Sequence, residues 1–245
     1  MKIILNLTKA QQLFPNSFQN YAEGMLPILD KPLVAYFIDE LSQQGFKEIY
    51  ILVNNETKEI TRQLGYGEYW SLAINYLDLD SQNGLFQAEK LKQQHIQEKI
   101  IGLKVTNKIS NSEQDKIDSN EEKSLYHLQS LDILSKPQCY QFLSYEIQPN
   151  MYLSEGAKYH TTSDFPAHIG RYSYIEPCIY RGPAIIGENS TVGKGTILDN
   201  TVIMPNTRIG ENLDLSNCLV TADWVYHQVT NSCIDINSHE LLSAA

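Results

Sequence analysis

The chain has 245 residues, 42% of them hydrophobic, and a formal net charge of -10. That length allows two modest domains, and the acidic balance argues against a nucleic-acid surface, which needs clustered Lys and Arg. No apolar run reaches membrane-spanning length, and residues 1–7 are too short and too quickly followed by polar residues for a signal peptide, so a cytoplasmic protein without a membrane span is expected. Cys139, Cys178, Cys218 and Cys233 form no CxxC pair and have no His at zinc spacing, which predicts reduced, packed thiols and no metal site.

Residues 2–7 (KIILNL) read as a buried first strand. Leu33, Val34, Phe37, Ile38 and Leu41 fall on one helical face, with Asp30 as the expected cap, Pro32 in the first turn and Gly45 as the stop. Residues 46–53 (FKEIYILV), rich in β-branched and aromatic side chains, predict a second strand. A short helix over 57–64, a Gly-Tyr-Gly turn and a third strand over 71–79 follow; 86–98 predicts a helix and 99–105 a fourth strand. Strands alternating with helices imply a parallel sheet of Rossmann-like type. Residues 107–123 are polar and charged and read as a linker. Over 124–134 (SLYHLQSLDIL), Leu125, Leu128, Leu131 and Leu134 stand three apart, which predicts a helix bridging to the second half.

From Ile169 onward the aliphatic residues keep a spacing of six. They fall at Ile169 and Ile175, at Ile186 and Val192, and at Ile197, Ile203, Ile209 and Leu215. Gly170, Gly187, Gly193 and Gly210 follow four of them, and Ser173, Ser190, Thr196, Thr201 and Thr207 recur as small hydroxyls. A period of six fits no helix face; it suits short parallel strands in which three units make a turn and the aliphatics stack inward. Gly and Asn are expected at corners that need positive φ. The steps of eleven from Ile175 to Ile186 and five from Val192 to Ile197 read as corner insertions and deletions. The coil can start earlier, since Ile147, Leu153 and Tyr159 are also six apart, with 161–165 as a loop. Hexapeptide repeats of this kind resemble the left-handed parallel β-helix, and the handedness rests on that resemblance.

Residues 25–36 (MLPILDKPLVAY), then a helix and GFKEIYILV ending at Val53, resemble the sugar nucleotidyltransferases, among them mannose-1-phosphate guanylyltransferases and glucose-1-phosphate nucleotidyltransferases. Residues 83–88 sit where that family carries a Gly-Thr-Ala segment, and residues 201–210 and 217–220 look most like members from bacterial exopolysaccharide synthesis. The resemblance implies an α/β chain with a truncated Rossmann-like nucleotidyltransferase domain (1–106), the polar linker (107–123), a bridging helix and connection (124–146), a left-handed β-helix (147–222) and a capping hairpin and tail (223–245).

Active members carry GxGxR after the first strand, because backbone amides must approach the triphosphate and an Arg must neutralise it. Residues 8–12 here are Thr-Lys-Ala-Gln-Gln, although Pro15 matches the signature's closing proline. Glu23 replaces a phosphate-holding lysine, and a carboxylate there repels the substrate. The family binds Mg²⁺ through a Gly-Asp pair, which this sequence lacks; Asp78 and Asp80 share a strand face but precede the Gly84 segment and read as solvated strand-end carboxylates. Lys9 reads as a surface lysine and Lys31 as part of a turn. No catalytic residue is therefore assigned, and Mg²⁺ is expected only if activity is retained.

Three functions compete. The first is a degenerate nucleotidyltransferase homologue that assembles or regulates a polysaccharide-synthesis complex, self-associating through its β-helix and partnering an enzyme of that synthesis. The second is a hexapeptide acyltransferase, with His160 or His168 as general base. The third is an active nucleoside-diphosphate-sugar pyrophosphorylase with an atypical site. His95, His127, His227 and His239 carry no specific signal.

Overall fold

The run Ile3-Ile4-Leu5 has no polar alternation, the pattern of a strand covered on both faces. The computed structural model describes residues 2–7, 24, 26–29, 31–55, 60–94, 96–100, 119–135 and 144–236. It is a mixed α/β structure with parallel sheets, and it divides into one unit of Met1–Pro27 with Lys31–Leu103 and another of Ile28–Asp30 with Lys104–Ala245. In the first unit, Ala73–Asp78, Glu48–Val53, Lys2–Asn6 and Gln97–Ile100 lie side by side in that order, all parallel. Lys2–Asn6 is central, and Ile4 and Leu5 are wholly buried.

Helix α1 (Leu33–Gln43) buries Leu33, Val34, Ala35, Phe37, Ile38 and Leu41. Its N-cap is Pro32, two residues after the expected cap Asp30, which lies outside the described residues. At the other end Gly45 has φ 84. Its N–H reaches the Ser42 carbonyl and that of Phe46 reaches Leu41, a Schellman ending that only glycine makes without strain. Of the expected helix over 57–64, the described part is α2 (Ile60–Leu64). Helix α3 (Gln82–Gln93) starts four residues before the expected 86, because Ser81 caps it by accepting from Gly84 N–H. It also stops short of Glu98, which belongs to the strand Gln97–Ile100.

In the second unit the chain visits three sheets in cyclic order from Ala167 onward; the first pass, Met151–Ser154 then Lys158–Tyr159, returns to Ala167 without a strand in the third. The largest holds Met151–Ser154, Ala167–Ile169, Ala184–Ile186, Thr201–Ile203 and Cys218–Val220, parallel to one another. A second holds Lys158–Tyr159, Tyr174–Ile175, Thr191–Val192 and Arg208–Ile209; a third holds Ile179–Tyr180, Ile197–Asp199 and Asp214–Ser216. Neighbours pair Ala184 with Thr201, Thr191 with Arg208 and Ile197 with Asp214, so these circuits take 17 residues where three six-residue units would take more, and the first, from Met151 to Ala167, takes 16. Ser144–Gln148 pairs antiparallel with Met151–Ser154, so Ile147 stands outside the parallel stack. At the far end Trp224–His227 pairs antiparallel with both Cys218–Val220 and Ser232–Asp235.

The inner core is Ile169, Ile175, Ile186, Val192, Leu198, Ile203, Ile209, Leu215 and Val220 with their neighbours. Leu198 replaces the expected Ile197, which is only half-buried. The short step of five therefore lies at the corners from Leu198 to Ile203 and from Leu215 to Val220. Corners with positive φ are taken mostly by Asn: Asn189, Asn200, Asn206, Asn212 and Asn217. Gly170, Gly187, Gly193 and Gly210 do not have positive φ. The first three make room for the next circuit instead: a Cβ on Gly187 would lie 2.4 Å from Pro205 N. Buried hydroxyls bridge circuits, Ser173 Oγ donating to Gly187 O at 2.8 Å and Ser190 Oγ to Met204 O at 3.0 Å.

Helix α4 (Ser119–Leu134) begins inside the stretch read as linker and belongs to this second unit. It packs on Ala184–Ile186, Thr201–Ile203 and Cys218–Val220. Its buried residues are Tyr126, His127, Ser130 and Leu134, while Leu128 is 47% exposed. Of the described leucines three apart, Leu128 is exposed and Leu131 half-buried, and Leu134 alone is buried; it shares the packing face with Tyr126 and Ser130, four apart.

Candidate functional site

A parallel sheet of this kind places ligands outside the carboxyl ends of its strands, at the point where the strand order reverses. Here the first strand, Lys2–Asn6, lies between the second, Glu48–Val53, and the fourth, Gln97–Ile100. The reversal therefore falls beside Asn6 and Leu7. Residues 8–12, including Lys9, follow at once; they and Pro15 and Glu23 lie outside the described residues.

The ends of the second and third strands are described, and their polar groups are engaged locally. Asp78 closes the third strand and Asp80 lies in the turn beyond, so the two do not share a strand face. Asp78 Oδ1 accepts from the Asp80 N–H at 3.0 Å, and Asp80 Oδ2 accepts from the Asn55 N–H at 2.7 Å, tying the second and third strand ends together. Gly84, on the first turn of α3, lies so close to this turn that a Cβ would stand 2.0 Å from Asp78 O. The segment 83–88 is thus helix packed on a strand end. Among the described residues no three His, Cys, Asp or Glu side chains converge as metal ligands. Asp78 and Asp80, turned to backbone N–H groups, do not fit a Mg²⁺ site.

Lys31 is held 2.6 Å from Asp39 Oδ2 and 4.2 Å from the centre of the Tyr36 ring. The other Asp39 oxygen accepts from Trp70 Nε1 at 2.6 Å. Lys31 is thereby joined through Asp39, on α1, to the 3-10 turn Glu68–Trp70. Nothing in the sequence spacing of Lys31, Asp39 and Trp70 announces this link.

The two histidines weighed as general bases are not brought together. His160 is exposed and meets the Tyr174 hydroxyl at 3.2 Å. His168 is 1% exposed in the strand Ala167–Ile169, with Nε2 3.3 Å from the buried Ser154 hydroxyl. Cys178 and Cys218 are free and buried, and Cys233 is free and exposed. Burial, with Asp214 nearby, pushes the Cys218 thiol up to about 11, so it stays protonated filler. Cys139 lies outside the described residues.

Among the described residues no helix is long and apolar enough to cross a membrane. Residues 1–106 match the family described as nucleotidyl transferase. That match covers the first unit and supports a nucleotidyltransferase-like function for it.

Proposed function

We propose that the chain is a nucleotidyltransferase-like protein that has lost nucleotide-sugar synthesis and serves as an assembly or regulatory subunit in bacterial surface or exopolysaccharide synthesis, in the cytoplasm. One observation carries the loss. Residues 8–12 follow in the sequence directly after the first strand, beside whose end the strand order reverses, and contain neither glycine nor arginine. Without glycine, side chains hold a triphosphate away from the backbone amides that would cradle it. Glu23 adds a negative charge where the related enzymes hold phosphate with a lysine, and no Gly-Asp pair supplies the metal carboxylate.

In this reading the three-sheet unit winds as a left-handed parallel β-helix and is the working part, a self-association surface. Its support is the cyclic strand order and the 17-residue circuit. Arg208–Ile209 and Asp214–Ser216 end their sheets with an open edge among the described residues, and open edges favour a partner.

The test is pyrophosphate release by the purified protein with Mg²⁺, each nucleoside triphosphate being offered with glucose-1-phosphate and with mannose-1-phosphate beside an active homologue. The expected result is no turnover from folded protein. Turnover near that of the homologue overturns the reading and returns attention to residues 8–12 as an unconventional phosphate loop.

A further inference from the structure

The second unit buries several titratable side chains that the proposed function leaves unused, among them His168, Cys178, Cys218 and His127. His127 lies mid-way along α4 and is 0% exposed. Its Nε2 donates to the Asn200 carbonyl at 2.7 Å. A carbonyl only accepts, so in the neutral ring Nδ1 carries the lone pair, and Nδ1 is buried without a hydrogen-bond partner. The helix rests on strands whose inward residues, such as Ile186, Ile203 and Val220, belong to the core. The residues between alternate to the other face: Ile185, Val202 and Leu219, mutually in register and 3%, 1% and 0% exposed.

We propose that α4 is an acid-released strap, seated over the row Ile185, Val202 and Leu219 while His127 is neutral and lifted when that ring takes up a proton, which bares the apolar row.

Little under the helix can neutralise a charged ring. Ala184–Ile186 and Thr201–Ile203 carry no titratable side chain, and Cys218–Val220 carries only the buried Cys218 thiol. Around them stand Asp199, whose Oδ1 accepts from the Asn200 amide at 3.0 Å, and His227, paired with Cys218 across the antiparallel ladder. On α4 itself, Lys123 sits one turn earlier with its amine 4.9 Å from the Trp224 ring centre, near Cys233; Asp132 lies one turn later. Asp235 is opposite Trp224 in the hairpin. Burial holds the His127 pKa below its ordinary value; the Asn200 and Cys218 carbonyls oppose this, and His227 adds to it.

The sign follows. A released helix binds the proton near the ordinary histidine value of about 6.5, whereas the seated helix binds it only at lower pH. The seat is fully favoured above about pH 6.5 and weakens about tenfold per pH unit as pH falls toward the depressed value.

Hydrogen exchange of the full chain, followed by mass spectrometry between about pH 7.5 and 5.5 and corrected for intrinsic exchange, reads this directly. Protection of α4 amides is expected to fall about tenfold per pH unit below about 6.5 while Ala184–Ile186 and Thr201–Ile203 stay protected. His127→Gln, which keeps an amide donor for Asn200, is expected to flatten the profile, and His227→Gln to leave most of it. A flat profile in the unsubstituted chain, or the same slope in His127→Gln, overturns the proposal. Should His127→Gln fail to seat α4 at neutral pH, NMR titration of His127 in the unsubstituted chain decides: charging in step with lost protection supports the strap, and charging with α4 still protected overturns it.

Discussion

Gly187 and Gly210 look alike in the sequence, each following an inward isoleucine, yet they answer to different constraints. A Cβ on Gly187 would stand 2.4 Å from Pro205 N and 2.7 Å from Met204 C, which are backbone atoms that cannot swing aside; on Gly210 the nearest atom is Leu213 Cδ1 at 3.7 Å. Gly187→Ala is therefore expected to cost roughly 2 kcal/mol, and Gly210→Ala to stay within about 0.5 kcal/mol, compared by urea midpoint. The repeat itself was legible from the residues, because inward aliphatics and hydroxyls recur in it. The division of labour between Gly and Asn was not, since both suit bends and only the stacking of circuits shows which one makes room. Ile197 and Leu198 posed the same difficulty: adjacent aliphatics fit a spacing of six from either side, and the pairing of Leu198 with the buried Leu215 decides for Leu198.

Elements were read best where one local signal ends them and worst where several compete. Gly45 stops α1 as its backbone requires. Helix α3 starts before 86 because its cap is Ser81, whose hydroxyl accepts from Gly84 N–H at 3.0 Å, and a capping hydroxyl leaves no trace in the apolar spacing. Ser81→Ala removes that acceptor and is expected to cost about 1 kcal/mol of stability, and Ser81→Asp to recover most of it, read by chemical denaturation. In α4 the leucine spacing suggested a face that the structure leaves partly exposed at Leu128. The buried face carries His127 and Ser130 instead, and polar residues that find partners inside give no hydrophobic signal: Ser130 Oγ donates to the Tyr126 carbonyl at 2.7 Å.

For the molecule as a whole, the parallel order of the first unit was legible from alternating strands and helices, and the nucleotidyl transferase match over 1–106 agrees with the resemblance carried by residues 25–53. The candidate site was legible mainly through missing residue types at 8–12, whereas the Asn55 and Asp80 link needed three dimensions, because it joins the ends of two strands far apart in the chain. The 17-residue circuit has a consequence for how such a chain changes length. Ile186 and Ile203 hold the same place in successive circuits, as do Asn200 and Asn217, so length is quantised like pitch on a screw thread. Excising residues 187–203 joins Ile186 to Met204, reproduces a native junction and brings Asn217 to where Asn200 met α4. That protein is expected to melt cooperatively with an unchanged circular-dichroism shape. Excising 186–201 instead cuts within a strand and puts Val202 and Ile203 one place out of register, on the wrong faces, and its melt is expected to broaden. Evolution on such a thread moves by whole turns, and single-residue insertions survive only at corners.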